Sequence, residues 1–243
     1  MIYDQPRFLP GGDEALFVEF GDEISPKLNR RVRNLKLAIE KQRIPGIIES
    51  VPTYRSLLIY FEPLQVHPKE LREILFRLSQ QPLESELSKP RLIEIPTVYG
   101  GEYGPDLEFV AAHNKLSVNE VIQIHTGTPY LIYMIGFLPG FPYLGGMSAK
   151  IAAPRLDTPR TRIPAGSVGI AGTQTGIYPA ESPGGWRLIG RTPLKVFDPT
   201  REPPALFQAG DYLKFVSVTP YEFIQIGEAV VRETYAVKES PMS

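Results

Sequence analysis

Apolar positions along the first ninety residues alternate between two periods. Ala15–Phe20 (ALFVEF) reads as a strand. Behind it, Ser25-Pro26 places an N-cap residue and a first-turn proline ahead of Lys27–Gln42. There Leu28, Val32, Leu35 and Ile39 fall on one helical face. Ile47–Val51 and Ser56–Phe61 return to strand character, with Pro52 between them. Pro68 then opens a second helix to about Gln80, its stripe being Leu71, Ile74, Leu75 and Leu78. The order β-α-β-β-α, with a further strand at Leu92–Val98, matches a ferredoxin-like split βαβ unit. Gln81–Pro90 (QPLESELSKP) is polar and has no apolar stripe, which marks a linker between domains at 1–88 and 89–243.

Beyond the linker the pattern changes. Two short helices are predicted, Pro105–His113 with Asn114 near its end and Val118–His125 behind a Ser117/Glu120 capping box. From Tyr130 onward short β-like runs are separated by glycines and prolines: Tyr130–Ile135, Val168–Ala171, Trp186–Ile189, Leu194–Phe197 and Tyr212–Val218. Close spacing with turn signals between runs predicts a closed barrel or sandwich. The resulting fold class is α+β.

Composition narrows the function classes. Of 243 residues, 42% are apolar, and the formal net charge of −1 excludes a disordered chain. That balance gives no reason to expect nucleic acid or an anionic membrane. Zero cysteines remove disulfides, thiolate nucleophiles and Cys-containing zinc sites. Three histidines far apart in sequence, His67, His113 and His125, argue against a metal cluster, and none is expected. His67 and His113 read as surface or capping residues. The N-terminus lacks a basic region and a small-residue cleavage site, and the longest near-apolar run, Tyr130 to Pro142, is too short to span a bilayer. A cytoplasmic protein is expected.

The window 136–193 stands apart, with eleven glycines, eight prolines, six basic residues and two acids. It is either a set of tight barrel loops or a binding surface. In the second case glycines admit backbone N–H groups to a ligand and arginines offer planar forks to an anion. The charge asymmetry favours the anion-binding reading. Phe137, Phe141 and Tyr143 in GFLPGFPYLGG plug a barrel end, stack on a ligand or face a subunit seam. Ser167, Gln174, Thr175 and Tyr178, spaced by glycines, suit amide or carbonyl recognition, or serve as hydrogen-bonded turn residues. His125 is the general-base candidate by residue type, or a partner of its helix dipole. No phosphate loop, dinucleotide fingerprint, zinc-protease motif or nucleophile elbow occurs, although Ser167 in AGSVG comes one glycine short of the elbow.

GFLPGFPYLGG (136–146) followed by PRLDTPRTRIPAGSVGIAGTQTGIYPAESPGGWRLIGRTP (154–193) resembles the carboxyltransferase-domain subunit 1 family. That family includes the B-type subunits of bacterial 5-oxoprolinases, allophanate hydrolase subunit 1 proteins and the Kip inhibitor of sporulation histidine kinase A. The resemblance extends to GGDEALFVEFG (11–21) and to residues 98–126, nearly the whole chain. It implies a small α/β domain followed by a cyclophilin-like β-barrel. It further implies a hetero-oligomeric, ATP-dependent 5-oxoprolinase that opens 5-oxo-L-proline to L-glutamate. The partners would be a homologous carboxyltransferase subunit 2 and a LamB/YcsF-type subunit. With no nucleotide loop in this chain, the ATP site is expected on, or shared with, a partner. Arg155 and Arg160 are then expected as anion contacts, Gln174 and Tyr178 as polar orienters and His125 as a base. Two other readings carry the same resemblance: a carboxyltransferase half related to urea carboxylase, and a non-catalytic histidine-kinase inhibitor.

Overall fold

The computed structural model describes residues 1–81 and 89–242, so most of the predicted linker lies outside the described residues. The chain divides into two compact units, Met1–Lys89 and Pro90–Ser243.

In the first unit, β1 (Ile2–Pro10), β2 (Ala15–Gly21), β3 (Ile47–Pro52) and β4 (Ser56–Phe61) form an antiparallel sheet in the order β1-β2-β4-β3. Two helices complete it, α1 (Pro26–Gln42) and α2 (Pro68–Ser79). Ser25 caps α1 by accepting the Leu28 N–H, and Arg43, at φ 44°, ends it with its N–H on the Ile39 carbonyl. His67 caps α2, its Nδ1 accepting from Lys69. Leu28, Val32 and Leu35 of α1 pack with Val18, Phe20, Leu57 and Ile59 from the sheet and with Leu71 and Leu75 of α2. Each such burial contributes about 1.5–3 kcal/mol.

This is the ferredoxin-like unit, with one correction to its wiring. The strand at Leu92–Val98 does not complete the sheet. β1, which precedes the pattern and was not predicted, occupies the edge beside β2 instead.

The second unit is built on β5 (Arg91–Tyr99), the strand just displaced. β5 pairs in parallel with β13 (Tyr212–Ser217), and antiparallel with β14 (Glu239–Pro241) and β12 (Arg187–Arg191). From β12 the path runs through β9 (Ser167–Ala171) to β10 (Gln174–Ile177); from β13 it runs through β6 (Tyr130–Ile135) to β7 (Pro142–Gly145). β7 and β10, the ends of the path, lie side by side, so the sheet nearly closes into the cyclophilin-like barrel. A separate pair, β8 (Arg160–Ile163) with β11 (Ser182–Gly184), stands beside it.

Two predicted helices are present as α3 (Leu107–His113) and α4 (Val118–Thr126), the latter with its Ser117/Glu120 capping box. A fifth helix, α5 (Pro220–Val231), was not predicted. Leu194–Phe197, read as a strand, forms only an isolated bridge between Phe197 and Ala205. Among the described residues no helix is long and apolar enough to cross a membrane.

Candidate functional site

A cavity of about 260 Å³ opens beside the barrel, in the second unit. Its walls are Phe137, Phe141, Tyr143, Arg155, Gln174, Tyr178, Pro183, Gly184, Gly185 and Trp186. Phe141 is the hub of the aromatic wall. Its ring makes edge contacts with Phe137, Tyr143, Tyr178 and Trp186 at centroid distances of 5.6, 5.3, 5.7 and 5.7 Å. Two glycines make that packing feasible. A Cβ on Gly184 would lie 2.6 Å from the Tyr178 hydroxyl, and one on Gly140 would lie 2.5 Å from Cβ of Phe197. Gly140 also has φ +84°, which turns the loop so that Phe141 enters the wall. Phe137 is 69% exposed and has φ 65°, a conformation a bulky residue adopts at a cost of order 1–3 kcal/mol.

Polar groups in the cavity are few. Arg155 is exposed and supplies its cation; the lining contains no acid. Burial raises the Tyr178 phenol above its ordinary range. Arg155, a backbone hydrogen bond from Trp186 and Arg160 oppose the shift in that order, and the net effect keeps the hydroxyl protonated as a donor. Gln174, at the start of β10, adds an amide.

Six of the residues singled out from the sequence thus share one cavity: Phe137, Phe141, Tyr143, Arg155, Gln174 and Tyr178. The other four lie elsewhere. His125 is not at the cavity but fully buried in the barrel core. Its Nδ1 meets the Tyr99 hydroxyl at 2.7 Å, and its Nε2 meets Thr175 Oγ1 at 2.9 Å. Thr175 Oγ1 donates to the Gly169 carbonyl at 3.0 Å, so it accepts from Nε2–H, and Tyr99 donates to Nδ1. Burial lowers the imidazole pKa to about 3, leaving a neutral ring locked in one tautomer. This is a core hydrogen-bond network, and the expectation of a base there is replaced by a structural role. Thr175 belongs to that network, and Ser167 is fully buried with its hydroxyl unpartnered.

Arg160, expected as an anion contact, is already held by a carboxylate. Its guanidinium meets both oxygens of Asp106 at 3.0 Å. Sequence reasoning missed Asp106, and it missed the Pro183–Trp186 wall; for the latter the signal was present in the glycine pair of PGGWR. Among the described residues no cluster of His, Asp and Glu could hold a metal ion.

The family model for the carboxyltransferase domain, subdomain C and D, matches residues 6–207. The B-type subunit of the 5-oxoprolinase of Bacillus subtilis (strain 168) is 48% identical over 223 residues, covering 87% of this chain and 92% of that protein. The crystal structure of a conserved protein from Pyrococcus horikoshii is 52% identical, with a TM-score of 0.54 over 89% of this chain and 100% of that one. The urea amidolyase of Kluyveromyces lactis, at 22% identity, shares the fold, with a TM-score of 0.79 over 100% of this chain and 17% of that one.

Proposed function

The chain belongs to the carboxyltransferase-domain family, subdomains C and D, and from that premise we propose that it is the B-type subunit of an ATP-dependent 5-oxoprolinase complex. The observation that carries this reading is the cavity: one cation, two phenol hydroxyls and an amide, with five aromatic rings and no acid in the lining. Such a lining suits a small, flat ring bearing a single carboxylate. 5-Oxo-L-proline has that form, and relatives such as the Bacillus subtilis protein carry the corresponding name.

Each residue then has a task. Arg155 holds the carboxylate in a charge-assisted pair. The ring faces lie against Phe141 and Trp186. Tyr178 donates a hydrogen bond to the lactam carbonyl oxygen, and Gln174 orients the lactam N–H. A five-membered lactam resists water until its carbonyl oxygen is activated. Phosphoryl transfer from ATP to that oxygen, with ADP leaving, would supply the activation; attack by water with cleavage of the ring C–N bond would then release glutamate and inorganic phosphate. A cavity with one arginine as its cation offers little to the charges of a triphosphate, and the chain has no phosphate loop. We therefore assign ATP to a site on, or shared with, a LamB/YcsF-type subunit or a homologous carboxyltransferase subunit. Hydrolysis places an ammonium and a second carboxylate in the cavity, and a lining with a single cation and no acid favours release of that product.

The experiment is a reconstitution. This chain is mixed with the two partner subunits, ATP and 5-oxoproline, and glutamate is measured with one component omitted at a time. Glutamate that depends on this chain, and turnover at least about tenfold lower in Arg155→Ala, support the reading; a lost charge-assisted bond has that magnitude. A well-formed complex that makes no glutamate overturns it. The family's name then favours carboxyl transfer from carboxybiotin, and biotin dependence becomes the deciding measurement.

A further inference from the structure

Asp106 does not line the cavity, yet three connections to the cavity walls converge on its carboxylate. It stands at the N-cap of α3, where an aspartate ordinarily accepts a backbone N–H of the first turn, and it makes no such bond. Its side chain, 9% exposed, turns the other way. Oδ2 accepts the Leu188 N–H at 2.7 Å, while the Asp106 N–H donates to the Leu188 carbonyl at 2.9 Å. Both carboxylate oxygens receive the Arg160 fork, and Arg160 Nη1 reaches on to the Trp186 carbonyl at 3.5 Å. Arg187 Nη1 lies 3.9 Å from Oδ1, and Arg187 Nε donates to the Pro154 carbonyl at 3.2 Å. The Arg187 guanidinium also lies 3.7 Å from the centre of the Phe109 ring.

The ends of these connections are informative. Trp186 is a cavity wall, gripped through Arg160 and through its near neighbour Leu188. Pro154 is bonded directly to Arg155, the cavity's cation. One carboxylate on a distant stretch of chain therefore ties down both the aromatic face and the charged rim. Two guanidiniums on one carboxylate also leave a positive charge behind the aromatic wall.

We propose that Asp106 is the positioning residue of the cavity, setting the placement of Trp186 and Arg155 without touching the ligand. Its effect on catalysis rests on the reading of the cavity as the substrate site. Trp186 is the protein's single tryptophan, so fluorescence excited selectively at the indole, away from the absorption of the twelve tyrosines, reports on this wall.

The test compares acrylamide quenching of Trp186 in the wild type and in Asp106→Asn, which keeps the side chain's shape and removes its charge. Breaking a buried charge pair is expected to free the wall, with quenching at least about twofold stronger well below the melting temperature. Arg160→Gln cuts only the branch to Trp186 and provides the same reading should Asp106→Asn fail to fold. Arg162→Gln, which removes only the exposed pair with Glu181, is the control expected to match wild type. Quenching that is unchanged in both Asp106→Asn and Arg160→Gln, or raised equally in Arg162→Gln, overturns the proposal. In the assembled complex Asp106→Asn is expected to raise KM for 5-oxoproline about tenfold with kcat within about twofold. A loosened Trp186 with unchanged KM leaves the positioning role intact and overturns the substrate-site reading instead.

Discussion

Gln174 and Thr175 are neighbours in sequence with opposite fates. Strand alternation sends Gln174 to the cavity and Thr175 into the core, where it meets His125. Composition marked both as polar residues of one glycine-rich motif; only the register of β10 against β9 separates them. The aromatic residues and Arg155 were legible because the motifs that carry them are dense in turn residues, and turns bring ring-bearing loops together. Asp106 was not legible. Its partners lie 54 and 82 positions away, and nothing in YGPDLEF distinguishes a structural aspartate from a surface one. Glycine at 184 permits a sharper test of the cavity's shape. Gly184→Ala puts a methyl group against the Tyr178 hydroxyl and Cδ1 of Ile163. We expect a stability cost of about 1–3 kcal/mol by urea denaturation, with Tyr178 displaced and 5-oxoproline turnover reduced.

The helices α1, α2 and α4 could be read in advance because each has a capping residue, an apolar stripe and, in two cases, a proline in the first turn. α5 has the same start signals, Thr219 with Glu222 in a capping box and Pro220 behind it. Its stripe, Phe223, Ile226 and Val230, is only partly buried, with Ile226 and Val230 against the barrel core, and the apolar Tyr221, Ile224 and Val231 on its exposed side blur that stripe in the sequence. Its caps add to the stability that this shallow packing gives. Thr219→Ala is expected to cost about 1 kcal/mol and to lower the helical circular-dichroism signal slightly. Strand identity was more legible than strand partnership. Leu92–Val98 has the alternation of a strand, but periodicity does not say which sheet receives it. β1 takes the edge position in the first sheet because it reaches β2 through a short turn, a nearer neighbour than any strand beyond α2.

For the whole molecule, the buried imidazole sets a pH dependence. His125 has a folded pKa of about 3 against an ordinary value near 6.5, so between those limits the unfolded chain binds a proton that the folded chain refuses. Its contribution is complete above about pH 6.5 and is lost as pH falls towards 3. We expect unfolding free energy of the second unit to fall by up to about 1.4 kcal/mol per pH unit from this group, and His125→Gln to remove that part of the slope. Denaturation should be followed at Trp186, since a chain of two compact units need not unfold in one step. The parallel pairing of β5 with β13 has a further consequence, for synthesis. Arg91 and its partner Asp211 are 120 positions apart, whereas every ladder of the first unit closes within its own first sixty-one residues. On the ribosome the first unit can mature while β5 waits, its apolar Ile93 and Ile95 without their barrel. The interval between making β5 and making β13 is thus the chain's most aggregation-prone period, and slower translation lengthens it.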